Sequence, residues 1–180
     1  MKVEAVFLDR DGTIGGDETV HYPGKFELFP YSRELIEELK GSGIKVFSFT
    51  NQPGIARGEA AVEDFFEELQ EFGFDDVFIC PHAHHDGCRC RKPEAGMLLS
   101  AAEKHHVTLE KCVVIGDRWS DMAAASKTKS MKILVKTGAG MAALNEHSDK
   151  LKEIEIEYIA ENLQDAVEWL YQQQGTAIST

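Results

Sequence analysis

The run from Val3 to Leu8 is apolar and β-prone, and it stops at Asp9, with Asp11, Gly12 and Thr13 close behind. A short continuous apolar run bounded in this way reads as a strand of a parallel sheet, buried on both faces. The carboxyl ends of such strands are where open α/β sheets place ligands. The stretch after Leu8 therefore has two readings. One is a solvated turn, because Asp-Gly is common turn chemistry. The other is a pair of acids spaced so that one attacks and the other moves a proton. Residues far along the chain decide between them.

Strand-like and helix-like segments alternate through the sequence. Ser32 is placed to cap a helix with Leu35, Ile36 and Leu39 on its apolar face, closed by Gly41 and Gly43. Ile44 to Phe49 reads as a second strand ending at Thr50-Asn51-Gln52, followed by a loop at Pro53 to Gly58. Val62, Phe65, Phe66, Leu69 and Phe72 recur at helical spacing and are read as core. Val77 to Cys80 reads as a third strand. A helix then starts near Pro93 with Met97, Leu98, Ala101 and Ala102 on one face. Cys112 to Ile115 and Lys132 to Val135 read as strands, with a helix at Asp121 to Ala125 between them. Gly138 to Met141 is expected to be loop, Tyr158-Ile159 a last short strand, and Asn162 the cap of a helix carrying Leu163, Val167 and Leu170.

This alternation predicts an α/β fold, a doubly wound parallel sheet with helices on both faces. Right-handed crossovers put every strand's carboxyl end on one edge. Asp9, Thr50, Cys80 and Asp117 all fall at such ends, and Lys92 is expected to open a helix on the same edge. About forty residues separate Asp9 from Thr50 and Thr50 from Lys92, enough for one helix, one strand and a loop but not a cap domain. Residues 1–174 are expected to form a single domain and 175–180 a flexible tail.

Asp9, Asp11 and Asp117 brought together would repel one another unless a hard divalent cation such as Mg²⁺ sat among them. Lys92 adds a point charge, Thr50 a hydroxyl and Asn51 amide donors, and the helix near Pro93 would add N-terminal amides. That set suits a phosphoryl group, with Asp9 attacking phosphorus and Asp11 serving as acid and then base. Taken singly, Lys92 is an ordinary solvated lysine, and Asp117 and Asp121 are ordinary charges at a helix start. Their shared sheet edge argues for a site.

The net charge of −12 argues against a nucleic-acid backbone as partner and requires local cations wherever a phosphate binds. No apolar run is long enough to span a bilayer, and Asp9 interrupts the only N-terminal apolar stretch, so a cytoplasmic protein is expected, without a membrane partner and as a monomer. Cys80, Cys88 and Cys90 lie within eleven residues among His82, His84 and His85. In such a chain that clustering points to metal rather than disulfides. Three thiolates and one imidazole would make a closed tetrahedral, structural Zn²⁺ site over residues 80–90, aiming Arg91 and Lys92. All three histidines are open as the fourth ligand; Cys112 reads as core.

Asp9-Arg-Asp-Gly-Thr, Thr50-Asn51, Lys92 and Gly116-Asp117-Arg-Trp-Ser-Asp121 resemble, in order and spacing, the four motifs of the haloacid dehalogenase superfamily of phosphohydrolases. Asn51-Gln-Pro-Gly-Ile-Ala-Arg-Gly58 and the Cys-Pro-His to Cys-x-Cys-Arg-Lys-Pro pattern resemble its capless group, which holds the heptose bisphosphate and histidinol-phosphate phosphatases. The resemblance implies a Rossmann-like fold, a small phosphorylated metabolite as partner, Asp9 as nucleophile and Asp11 as general acid/base. It implies Mg²⁺ on Asp9, the Asp11 carbonyl and Asp117, with Thr50 and Lys92 stabilising the phosphoryl group. It also implies Zn²⁺ on Cys80, His82, Cys88 and Cys90. Asp17, Glu18, Thr19, Val20, Asn51, Gln52, Pro53 and Arg118 would line the pocket, and Arg91 would touch the rest of the substrate. Arg57 and Arg91 could hold a second anionic group. The Gly54 to Gly58 loop favours a sugar bisphosphate such as heptose 1,7-bisphosphate; histidinol phosphate is the alternative. A zinc-stapled binding module with an inactive site is the alternative of another class.

Overall fold

A computed structural model describes residues 2–175. Six strands form one all-parallel sheet in the order β3-β2-β1-β4-β5-β6: β1 (Ala5–Leu8), β2 (Lys45–Asn51), β3 (Asp76–Cys80), β4 (Cys112–Gly116), β5 (Met131–Val135) and β6 (Tyr158–Ala160). This is a doubly wound order, with its reversal between β1 and β4. The helices are α1 (Ser32–Gly41), α2 (Val62–Glu71), α3 (Gly96–His105), α4 (Trp119–Lys127), α5 (Gly140–Asn145), α6 (Ser148–Leu151) and α7 (Leu163–Gln174).

The strands alternate their side chains between two cores, as the pleat requires. Val6 and Leu8 pack with Ile36, Leu39, Leu69 and Val167 beneath α1, α2 and α7. Ala5 and Phe7 pack with Phe47, Met97, Leu98 and Met122 beneath α3 and α4. Helices therefore cover both faces, as the alternation of segments predicts. Among the described residues no helix is long and apolar enough to cross a membrane.

Several expectations need correction. Ser32 does not cap α1; its buried hydroxyl donates to the Ile14 carbonyl at 2.7 Å and ties the helix start to the loop after β1. Only Phe65 and Leu69 of the α2 stripe are buried, whereas Val62 and Phe66 are exposed, because the inward face runs through Phe65, Glu68, Leu69 and Phe72, with Glu68 turned in where the sequence pattern placed Phe66. The helix expected near Pro93 begins at Gly96, so its first amides are displaced from Lys92. The expected loop at Gly138 to Met141 contains the start of α5. Asn162 does cap α7, accepting from the Asp165 N–H at 3.0 Å. The predicted tail at 175–180 lies outside the described residues except for Gly175, the left-handed C-cap of α7.

Phe7 is wholly buried with its ring centroid 5.3 Å from that of Phe47 and 6.0 Å from that of Phe49. Phe7→Ala should lower unfolding free energy by about 3–5 kcal/mol, read from urea titrations, because the sheet centre cannot collapse into the space left. A loss below about 1 kcal/mol would contradict that packing.

Candidate active site

The switch point of the sheet explains why distant residues meet. Leu8 pairs with Ser48 of β2 and Ile115 of β4, so Asp9, Thr50 and Asp117 leave three neighbouring strands on one edge. Lys92 reaches that edge from the segment between β3 and α3. Its Nζ donates to Asp9 Oδ1 at 2.8 Å and to the Phe49 carbonyl at 3.0 Å, and lies 2.7 Å from Asp121 Oδ1. It is only 4% exposed and sits 4.1 Å from the centre of the Phe49 ring. Burial alone would favour the neutral amine, but Asp121 and Asp9 outweigh it and raise the pKa.

Asp9, Asp117 and Asp121 offer carboxylate oxygens within 4.8 Å of one another, all buried. Burial, with Asp9 and Asp121 close by, pushes the Asp117 carboxyl well above the usual range. Burial also raises Asp121 to about 6, with Lys92 opposing the rise and Asp9 adding to it. One lysine against three acids leaves negative charge uncompensated, which is the condition a divalent cation relieves. Space for Asp117 comes from two glycines held at positive φ, where side chains are disfavoured: a Cβ at Gly12 or Gly138 would lie 2.1 or 2.4 Å from Asp117 Oδ2. Asp117 Oδ2 accepts from the Ala139 N–H at 2.7 Å, while Oδ1 has only a 3.5 Å contact to the Thr13 hydroxyl. Asp121 Oδ2 accepts from the Arg118 N–H at 3.0 Å, so this acid does charge the first turn of α4 as well as hold Lys92. The donor set fits Mg²⁺.

Asp11 points away from the three acids. Its Oδ1 accepts from Arg10 Nη1 at 2.7 Å and its Oδ2 from Gln52 Nε2 at 2.8 Å. Burial raises its pKa, Arg10 opposes that and Asp9 reinforces it. Gln52 Nε2 also reaches Thr50 Oγ1 at 2.9 Å, coupling the acid to the threonine.

A cavity of about 660 Å³ opens over Asp9, Asp11, Thr50 and Lys92, far larger than a phosphoryl group needs. Of the residues expected to line it, Glu18, Val20, Asn51, Pro53, Arg91 and Arg118 do so. Four do not. Gln52 is fully buried behind Asp11 and Thr50. Asp17 accepts from the N–H and hydroxyl of Thr19, a local turn that presents Glu18 and Val20 instead. Arg57 is exposed and turned onto Glu59 through bonds of 2.7 and 3.0 Å. Asn51 is on the wall, but its amide is spent on the Lys92 backbone, giving to the carbonyl at 3.1 Å and accepting from the N–H at 3.0 Å. The first turn of α4, with Arg118, Trp119 and Ser120, faces the cavity where α3 was expected. His84, read as a candidate zinc ligand, instead lines the cavity 2.8 Å from Arg91 Nη2. His147, between α5 and α6, also lines it; no sequence signal marked it.

The second cluster lies beside Lys92. Cys80, His82, Cys88 and Cys90 bring one ligand atom each within 4.8 Å of the others. Cys80 Sγ is 3.6 Å from Cys88 Sγ and 3.5 Å from His82 Nδ1, which is 3.2 Å from Cys90 Sγ. A zinc ion with bonds of about 2.0–2.3 Å would separate tetrahedral ligands by about 3.5–3.8 Å. Burial pushes the Cys80 thiol up to about 12, so a thiolate there needs a cation beside it. The set fits Zn²⁺ with no open position, and Nδ1 is the His82 atom that faces the thiols.

Comparison with known proteins adds a family. The model for haloacid dehalogenase-like hydrolases matches residues 4–127, and a HAD-hydrolase-like model matches 89–166. The chain is 38% identical over 147 residues to the D-glycero-beta-D-manno-heptose-1,7-bisphosphate 7-phosphatase of Helicobacter pylori, covering 74% of this chain and 83% of that one. It is 40% identical over 136 residues to the D-glycero-alpha-D-manno-heptose-1,7-bisphosphate 7-phosphatase of Campylobacter jejuni, covering 69% and 77%. The crystal structure of D,D-heptose 1,7-bisphosphate phosphatase from B. bronchiseptica, complexed with magnesium and phosphate, superposes with a TM-score of 0.81 at 31% identity, covering 95% of this chain and 99% of that one.

Elemental analysis of purified protein should find about one zinc per chain, as a closed four-ligand site requires. Cys88→Ser should lower that stoichiometry sharply and weaken turnover, because Arg91 and Lys92 follow the last ligand directly. A fully folded, fully active protein without zinc would overturn the role given to this loop.

Proposed function

This chain belongs to the haloacid dehalogenase-like hydrolases, and we propose that it is a phosphatase working through an aspartyl-phosphate on Asp9, with a sugar bisphosphate such as D-glycero-D-manno-heptose 1,7-bisphosphate as substrate. The observation that carries the reading is the meeting of Asp9, Asp11, Thr50, Lys92 and Asp117 at one switch point beneath a cavity with room for a sugar.

Asp9 attacks phosphorus as the bond to the leaving oxygen breaks, and Asp11 gives that oxygen its proton, releasing the alcohol. Asp11 then takes a proton from water, whose oxygen attacks the same phosphorus. The bond to Asp9 breaks and inorganic phosphate leaves. Lys92 and the Thr50 hydroxyl hold the phosphoryl oxygens. Magnesium, held by Asp9, the Asp11 carbonyl and Asp117, supplies charge neutralisation and polarises a phosphoryl oxygen when bound. Asp121 fixes Lys92 from behind. Glu18, Val20, Pro53, Arg91 and Arg118 contact the rest of the substrate, with Arg91 and Arg118 supplying the cations for a second anionic group.

The names of the relatives above favour the heptose substrate over histidinol phosphate, and they include both anomers. The complete set of acids with Lys92 weighs against a binding module. A reducing, cytoplasmic setting and a monomeric state belong to the same proposal. Clustered thiols around a metal support the first. The second is supported by the spread of the exposed large apolar residues among those described, Val20, Val62, Phe66, Leu99, Met141 and Ile159, over five separate segments, with only Val62 and Phe66 sharing one.

Asp9→Asn should leave the fold intact and cut turnover of any phosphate ester by about a thousandfold or more; near-normal turnover would remove Asp9 as nucleophile. In a panel of both heptose 1,7-bisphosphate anomers, histidinol phosphate and simple sugar phosphates, kcat/KM should favour a heptose bisphosphate by about tenfold or more. A preference for histidinol phosphate would overturn the substrate assignment.

A further inference from the structure

Arg10 is a charged residue with no exposed surface, sitting between two acids. Its Nη1 donates to Asp11 Oδ1 at 2.7 Å, while Nε and Nη2 both donate to Glu68 Oε2 at 2.9 and 2.8 Å. The guanidinium is flanked by the rings of Phe26, 3.9 Å from its central carbon to the ring centre, and Phe65, at 4.8 Å. Glu68 is on the inner side of α2, and its side chain is about as buried as that of Asp11. None of the chemistry described above uses Arg10 or Glu68.

The geometry points to Glu68 as a positioning residue that, through Arg10, sets the orientation of the Asp11 carboxyl for proton transfer. This rests on the reading of Asp11 as general acid. Two hydrogen bonds on different oxygens fix the plane of a carboxyl group, and Asp11 has them: Gln52 on Oδ2 and Arg10 on Oδ1. Arg10 can define that plane only if it is held itself. Glu68 takes two of its donors and the two rings clamp its face, so little freedom remains to the long side chain. Glu68 also decides how much of the guanidinium Asp11 receives. Without it, Nε and Nη2 become buried donors with no acceptor, and Asp11 is the nearest remaining carboxylate. Guanidinium groups favour two-pronged pairing with carboxylates, so the fork would turn onto Asp11 and draw it from the leaving oxygen. The role is one of place: Asp9 and the phosphoryl-binding groups touch neither Arg10 nor Glu68.

A general acid matters most when the leaving group is poor. Alkyl phosphates need their leaving oxygen protonated; p-nitrophenyl phosphate does not. The value kcat/KM reports steps up to the first irreversible one, so it isolates formation of the aspartyl-phosphate from its hydrolysis. The ratio of kcat/KM for a sugar phosphate to that for p-nitrophenyl phosphate is independent of the fraction of enzyme that is folded. Glu68→Ala should reduce this ratio by about tenfold, part of the 10²–10⁴-fold a general acid contributes, and Glu68→Gln, which keeps an acceptor, should restore most of it. Asp11→Asn serves as reference and should reduce the ratio further than either. If Asp11→Asn lowers the ratio but Glu68→Ala lowers both substrates equally or neither, the positioning role is overturned while the acid assignment stands. If Asp11→Asn leaves the ratio unchanged, the acid assignment fails and this proposal with it. Should Glu68→Ala not fold, Glu68→Gln together with Arg10→Lys decides: an unchanged ratio in both overturns the proposal.

Discussion

The buried ammonium of Lys92 is the contact on which the site's architecture depends. It joins Asp9 at the end of β1, Asp121 in α4 and the Phe49 carbonyl of β2 through one nitrogen. A lysine so enclosed is costly unless its donors are satisfied and its charge is met, and here three acceptors meet it. The segment carrying it is held in turn by Asn51, whose amide pairs with the Lys92 N–H and carbonyl as another strand would. Chain connectivity alone would not bring this loop to the sheet edge. The Asn51 pairing on one side and the zinc-ligand loop on the other hold it there.

That arrangement also offers two donor sets of different kinds. At the sheet edge, one ammonium faces three buried carboxylates, and oxygen donors in negative excess suit a hard cation. A few residues away, three thiols and an imidazole close around a common centre, donors that suit a softer ion and leave no open position. A metal in the first set would belong to the reacting groups. One in the second would stiffen a stretch from Cys80 to Cys90 with no regular secondary structure beyond the end of β3.

The strands and the site edge were legible in the sequence because buried parallel strands write themselves as apolar runs and their last residues break the pattern. Asp9, Thr50 and Asp117 stand out for that reason. What escaped has physical causes. Gly140 read as loop, yet it lies within α5, where a Cβ would sit 1.9 Å from the Val135 carbonyl; close packing requires the glycine, not a turn. Phe66 matched the helical stripe but falls one position beyond the face that α2 buries. Gln52 looked like a pocket residue and is the strut between Asp11 and Thr50. Arg10 and Glu68 are 58 residues apart, and charged residues default to the surface when read singly. Only the fold reveals that they are partners.

Chemistry and recognition are therefore anchored differently. Asp9, Thr50 and Asp117 leave strands paired on the sheet and are locked by buried contacts. Groups on the cavity wall come from loops: Glu18 from the turn built by Asp17 and Thr19, Arg91 from the stretch after Cys90, His147 from the α5–α6 junction. Two of the cations there are not free to roam. Arg118 donates to the Glu18 carbonyl at 3.0 Å and Arg91 pairs with His84, so each guanidinium has a fixed partner on the cavity wall. Preset cations lose less entropy on binding than mobile ones, which favours a substrate carrying anionic charge at a fixed distance from the scissile phosphate. Arg57 lacks that quality: it is exposed, already satisfied by Glu59 and away from the cavity wall. In the proposed function, discrimination between bisphosphate and monophosphate falls to Arg91 and Arg118, the two guanidinium groups on the cavity wall.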